Sequence, residues 1–319
     1  MQHYAFSHLI GADGANSFVR PMILQERCEE DQYEALNHGY KELRMPAISN
    51  GEYPMEPGAL HIWPRGEFML IALANLNGSF TLTLFLPLEG KQSFASLTDQ
   101  ASVEVFFHAQ FPDAVSLLPH LTREFMQNPV GHLGTVRCKP WDYQDRALVI
   151  GDAAHAIVPF YGQDMNCGFE DCAALDAQLE TGASWLEAFS HFEKERKPNA
   201  DSIASLALEN YQEMREGLRD PRFYLKKQIA FRLEHLHPAA FIPRYSMVMF
   251  HRLPYVEAQR RGAIQEEILE ACSLPIQDVE QLDVAFAERL IREKLGGDFF
   301  CGTSCAISTP LLLRAGKRR

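Results

Sequence analysis

The stretch Arg146–Asp176, RALVIGDAAHAIVPFYGQDMNCGFEDCAALD, decides how the rest of the chain is read. Ala147 to Ile150 is an apolar run of strand length that stops at Gly151-Asp152, as a buried strand does at the edge of its sheet. Pro159 and Gly162 then break the chain into a loop, and beyond it Met165, Phe169, Cys172 and Leu175 recur at helical spacing. Strand, carboxylate, loop and helix start, in that order, can hold a nucleotide-like ligand. Asp152 can accept hydrogen bonds from ribityl or ribose hydroxyls, and the free N–H groups of the helix start can face an electron-rich group. Any short piece of the run reads equally well as a buried strand and a packing helix.

A second stretch near the start has the same grammar. His8-Leu9-Ile10-Gly11-Ala12-Asp13-Gly14 is a strand running into a turn, and Ala15 to Arg20 begins a helix. The glycines permit a tight turn and close backbone approach, while Asp13 and Arg20 can serve a phosphate-bearing ligand through hydrogen bonds and charge. Taken alone, Asp-Gly is a common turn and Arg20 a surface ion-pair partner.

Composition removes several classes of function. The chain has 319 residues with 46% hydrophobic content, enough to bury a substantial core in one or two domains. Its formal charge of -12 argues against a nucleic-acid partner, which requires clustered excess Lys and Arg; basic residues concentrate only in the final RAGKRR. The seven cysteines show no paired metal-ligand spacing, Cys301 and Cys305 included, so reduced thiols in the cytoplasm and no metal are expected. No run approaches the roughly 20 apolar residues that span a bilayer, so no membrane span is expected.

Read together, GADGANSFVR and GDAAHAIVPFYGQ followed by MN and GFEDC resemble, in order, the two FAD signatures of the single-component flavoprotein aromatic hydroxylases. The resemblance implies that Asp13, Gly14, Arg20, Gly151, Asp152, Pro159, Gly162, Gln163, Met165 and Asn166 contact FAD, and that NADPH supplies the electrons for hydroxylating an aromatic ring beside its amine. It implies no protein nucleophile, and His155 is expected to make a structural hydrogen bond. The family's N-terminal GxGxxG unit occurs nowhere in this sequence. The chain therefore looks like the C-terminal two-thirds of a longer enzyme, a non-catalytic remnant, or one half of a pair completed by a separate N-terminal fragment.

Between the two signatures, Leu60 to Trp63, Phe68 to Ala74 and Phe80 to Leu86 alternate and are separated by turn residues, which predicts an antiparallel meander. Alternation groups Leu60 with Ile62, Ile71 with Leu73, and Thr81 and Thr83 with Phe85. Such a face packs on a core; by the resemblance, Leu60, Ile62, Ile71, Leu73 and Phe85 line a slot for an aromatic amino-acid substrate beside Phe160. Helices are expected over 184–197, 200–219, 221–235 and 278–295. Read alone, Asn210 is an exposed helix polar and Met214 and Tyr245 are core residues. The resemblance makes Asn210 and Tyr245 contacts to the amino-acid end of the substrate, with Met214 one turn on touching the ring.

One position departs from the family, which has Gly where this chain has Asp164. A carboxylate is favourable at a helix start, but there it would compete with a reduced flavin for the same donors, so impaired flavin binding or reduction is expected. The fold expected is α/β (α+β). Residues 1–30 and 131–180 would form a truncated FAD-binding Rossmann-like domain, 31–130 an antiparallel substrate-domain sheet, and 181–319 a C-terminal helical region.

Overall fold

The computed structural model describes residues 5–27, 33–48, 51–217 and 220–296. Cys28, Cys301, Cys305 and the basic tail lie outside the described residues. Strand β1 (Leu9–Gly11) pairs in parallel with β8 (Ala147–Val149), Leu9 opposite Ala147 and Gly11 opposite Val149. A short antiparallel strand, β7 (Asp142–Tyr143), completes this three-stranded sheet. Helix α1 (Val19–Arg27) returns across it so closely that a Cβ added to Gly11 would sit 2.7 Å from the Val19 Cβ.

The expected meander is present as β3 (His61–Pro64), β4 (Met69–Ala74) and β5 (Phe80–Pro87). It belongs to a five-stranded antiparallel sheet in the order β3-β4-β5-β2-β6, with β2 at Tyr33–Met45 and β6 at Gly131–Val136. Sequence reading does not find β2. Its buried alternation runs Gly39, Lys41, Leu43, Met45, and a lysine on the inward face hides the period. Lys41 is tolerated there because its ammonium donates to the Phe125 carbonyl at 2.5 Å and lies over the Phe125 ring.

Alternation gives this sheet two buried faces. Leu43, Leu70, Leu82 and Leu84 pack against Val103, Phe106, Phe107, Ala114 and Phe125 of three covering helices, α2 (Gln100–Gln110), α3 (Pro112–Val115) and α4 (Leu121–Gln127), and against Phe111 between the first two. On the other face Met69 pairs with Phe85 and Ile62 with Ile71. These four join Leu148, Val149, Ala153 and Phe160 in one continuous core that links the two sheets.

After β8 come α5 (Asp152–His155), a 3-10 turn at Pro159–Tyr161 and α6 (Asp164–Glu180). The α6 helix was expected, but its inward face was not. Cys167, Asp171 and Leu175 are buried, while Met165 and Phe169, at 65% exposure each, and Cys172 face outward. The two helices expected over 184–197 and 200–219 form one helix, α7 (Trp185–Arg215), with Pro198 inside it; Arg219 lies outside the described residues. A proline inside a helix costs about 3 kcal/mol, but the buried stripe Phe189, Phe192, Arg196, Ala200, Ile203, Ala207 continues through it and offsets that cost.

Four more helices follow, α8 (Pro221–Leu236), α9 (Arg244–Phe250), α10 (Tyr255–Ser273) and α11 (Val284–Leu295). The segment expected as a helix over 278–295 starts as a 3-10 turn, Val279–Gln281, before Asp283 caps α11 through the Phe286 amide. Among the described residues no helix is long and apolar enough to cross a membrane, and Cys138, Cys167, Cys172 and Cys272 are free thiols.

Since the obstruction at Gly11 is the Val19 Cβ, which cannot swing away, Gly11→Ala should destabilise the chain by about 1–3 kcal/mol by overpacking. Urea unfolding should show a lower midpoint at an unchanged slope. An unchanged midpoint would mean that α1 is not seated on β1.

Candidate functional site

The two turns singled out in the sequence leave the same end of two adjacent parallel strands. Pairing runs to their very edge, where the Ile150 amide donates to the Gly11 carbonyl at 3.0 Å. Asp13 turns back on its own chain. One carboxylate oxygen accepts from the Ser17 hydroxyl at 2.6 Å and the other from the Phe18 and Val19 amides at 2.7 and 3.3 Å. Burial opposes its charge, but those donors prevail and hold its carboxyl below the ordinary range. Arg20 is buried and donates to the Ala15 carbonyl at 2.9 Å and the Ala153 carbonyl at 2.8 Å, lashing one turn to the other.

Asp152 opens α5 on the opposite turn and remains exposed to solvent. The protein packed behind it raises its carboxyl above the ordinary range; the Asp164 charge adds to this, and His155 pulls the other way. Asp164, the residue that departs from the resembled family, thus acts electrostatically on the carboxylate expected at the ligand.

Between these acids the backbone is open. Gly14 (φ +82°) and Gly162 (φ +63°) are left-handed, and a Cβ on either would meet nothing within 4 Å. Pro159 starts the 3-10 turn that delivers Gly162. Gln163 is buried; its side-chain oxygen accepts from Asn166 at 3.1 Å and the Tyr255 hydroxyl at 3.2 Å, and its amide donates to the Met249 sulfur at 3.3 Å. With Gln163 so engaged, no side chain caps α6, whose first-turn N–H groups have no partner within the helix and lie beside exposed Met165 and Asn166. Open glycines, an uncapped 17-residue helix and rim carboxylates fit a flavin dinucleotide, with helix N–H groups for its electron-rich edge and carboxylates for its hydroxyls.

Phe160 connects this turn to the five-stranded sheet. Its ring lies 4.9 Å from Phe85 and stacks on Tyr211 at 4.0 Å and 14°. Its carbonyl accepts from the Asn210 amide at 2.8 Å, and that same amide is 3.5 Å from the Met214 sulfur. Phe85, Phe160, Asn210 and Met214 are therefore gathered together, with Ile62 and Ile71 half-buried on the same sheet face. Leu60 and Leu73 are exposed at its outer end. Tyr245 joins the group indirectly, stacked on Tyr161 at 5.6 Å.

Two features escaped the sequence reading. Tyr211 lies at the centre of the aromatic cluster, its hydroxyl buried without a partner; burial pushes it up to about 12, opposed by Arg215. Asp171 and Arg196 form the second. Each sits in the middle of an otherwise apolar helical stripe, Cys167–Asp171–Leu175 and Phe192–Arg196–Ala200, and a charge at a core position was the available signal. Asp171 accepts from the Gly151 amide at 2.9 Å, His155 Nε2 at 2.5 Å and Arg196 Nε at 2.8 Å. Donor atoms of His155, Cys167 and Asp171 lie within 4.8 Å of one another. The carboxylate is already filled by three donors, one of them a guanidinium, which makes this a buried ion-pair network rather than a metal set.

Known proteins resemble the chain at both levels. It is 48% identical over 287 residues to a kynurenine 3-monooxygenase of Myxococcus xanthus, covering 90% of this chain and 62% of the relative. A Stenotrophomonas maltophilia protein of the same name is 44% identical over 290 residues, covering 91% and 64%. The chain thus spans about three-fifths of the length of these curated relatives. Among solved structures, 2-methyl-3-hydroxypyridine-5-carboxylic acid oxygenase aligns with a TM-score of 0.53 at 20% identity, over 68% of this chain and 58% of that one. A Klebsiella pneumoniae HpxO variant complexed with FAD also gives 0.53, at 17% identity, over 68% and 54%. At such identities the likeness is one of fold. The family model described as "FAD binding domain" matches residues 5–206, a span that takes in both glycine turns, the sheet between them and most of α7; the chain belongs to the FAD-binding domain family.

Proposed function

We propose that the chain is the flavin-contacting and ring-contacting part of a kynurenine 3-monooxygenase, which hydroxylates L-kynurenine to 3-hydroxykynurenine with FAD and NADPH in the kynurenine route of tryptophan catabolism. The observation that carries this reading is the convergence of the Asp13-Gly14 and Gly151-Asp152 turns on adjacent strand ends, joined through Phe160 to the sheet face bearing Phe85. Relatives bearing that name, 44–48% identical over about nine-tenths of the chain, support the substrate. Free thiols at the described cysteines favour a cytoplasmic setting.

Bound FAD would supply the electron transfer and oxygen activation, leaving the protein to bind, orient and exclude water. Gly14, Gly151 and Gly162 let the backbone approach the cofactor. Asp152 accepts from its hydroxyls, and the α6 start, with Pro159, Gln163, Met165 and Asn166, frames its electron-rich edge. Asp13 and Arg20 hold the first turn in place. The kynurenine ring is placed against Phe85, Phe160, Ile62, Ile71 and Met214, with Leu60 and Leu73 at the rim and Asn210 and Tyr245 toward the amino-acid end.

Purified chain should bind FAD, alone or on adding the corresponding N-terminal piece of a relative, and the loaded protein should hydroxylate kynurenine in preference to other substituted aromatics. A colourless preparation in both cases would end the flavin reading. Phe160→Ala should lower kcat/KM for kynurenine by roughly 10–100-fold while changing FAD affinity less, because it loosens the ring rather than the cofactor. Asp164→Gly should tighten FAD binding or speed its reduction severalfold by removing a charge from the α6 start. No change in either quantity would acquit Asp164.

A further inference from the structure

The Gly151 peptide is held in a left-handed conformation, φ +58°, at the point where β8 becomes the ligand turn. Its amide is satisfied from below by the fully buried Asp171 carboxylate, 2.9 Å away on α6. That carboxylate is itself fixed by His155 Nε2 at 2.5 Å and Arg196 Nε at 2.8 Å. Arg196 also donates to the Cys167 carbonyl at 3.2 Å, reaches the Cys167 sulfur at 3.5 Å and pairs with Glu170 at 3.0 Å. Gly151 faces Gly168 of α6, where a Cβ on either would lie in ordinary contact with the other's Cα.

We propose that Asp171 is a positioning residue for the flavin turn: it touches no ligand, but by anchoring the Gly151 amide it sets where Asp152 and the α6 start stand relative to each other. The proposal rests on the flavin reading above and adds a residue outside the ligand-facing set. Three elements depend on this one carboxylate, since α5 contributes His155, α6 Asp171 and α7 Arg196. Breaking a buried ionic network on one side leaves the other charges uncompensated, so the turn should loosen well before the sheet does.

Groups facing His155 are Asp152 on its own helix, Cys167 and Asp171 of α6, and the Trp141 ring at 5.2 Å, with Arg196 behind Asp171. Burial disfavours the imidazolium, but the Asp171 hydrogen bond and charge, helped by Cys167, push His155 up to about 10. Asp171 is held down in turn: burial opposes its charge, and His155, Arg196 and the Gly151 amide outweigh it. The stabilisation carried by His155 is complete below its unfolded value of 6.5 and is lost as pH rises through about 10. The share carried by Asp171 is present above 3.8 and is lost as pH falls below it.

The test compares wild-type chain with Asp171→Ala and the near-isosteric Asp171→Asn, which keeps the comparison open should the first not fold. In flavin-free protein, hydrogen exchange at the Gly151 amide should quicken by about 100-fold in Asp171→Ala, with Val149 unchanged. Asp171→Asn should keep part of that protection through its amide oxygen, yet lose the fall in stability between pH 7 and 10, because its His155 is no longer held charged. FAD titration should give a Kd raised about tenfold or more in Asp171→Ala. Unchanged Gly151 exchange in a folded variant, or an unchanged Kd where exchange has quickened, overturns the proposal. A wild-type chain that binds no FAD defeats the flavin reading instead, and the exchange result then decides by itself whether Asp171 holds the turn.

Discussion

Parallel pairing between Leu9–Gly11 and Ala147–Val149 is the constraint from which the rest of the molecule follows. Two strands can lie parallel and adjacent only if the chain between them makes a long crossover. Here the crossover is a five-stranded sheet backed by three helices. The pairing therefore does two things at once. It brings Asp13 and Asp152 to one edge, and it returns the Phe85 face of the crossover sheet to the loop that carries Phe160. Buried Arg20 reinforces the arrangement, donating to the Ala15 carbonyl of the first turn and to the Ala153 carbonyl just beyond the second.

Charge is distributed at the site by a simple rule. In the core, Asp171 is surrounded by an amide, an imidazole and a guanidinium, and a fully buried carboxylate is tolerable only because all three are present. At the rim, Asp152 is shifted toward its neutral form chiefly by the protein packed behind it, with the Asp164 charge adding and His155 only partly offsetting both. The core network ties α5, α6 and α7 together, while the rim pair places two acidic groups beside the turn. Asp164 matters for the second and not the first, since α6 forms with the carboxylate in its first turn.

The aromatic cluster next to the turn is part of the core itself. Phe85, Phe160 and Tyr211 stack or tilt against one another within one hydrophobic core that also contains β8. Asn210 contributes by tying the Phe160 carbonyl to α7, so the residue nearest the turn is fixed from two sides.

Much of this was legible in the chain itself. Apolar runs ending in Gly11-Ala12-Asp13-Gly14 and in Gly151-Asp152 identified the two strand-turn units; period-two alternation from Leu60 to Leu86 identified the meander; and glycines with a following helical pattern marked the candidate ligand turn. These are local properties, and local sterics and patterning suffice to specify them. Tertiary structure decided what depends on neighbours distant in sequence: that Lys41 faces inward on β2, that α7 runs through Pro198, that α6 buries Cys167, Asp171 and Leu175 in place of the Met165 and Phe169 side. In each case a residue disfavoured by its own chemistry is kept by partners from another element. A carbonyl of α4 holds the lysine, the packing of α7 on α6 and α10 carries the proline, and three donors from outside α6 surround the carboxylate.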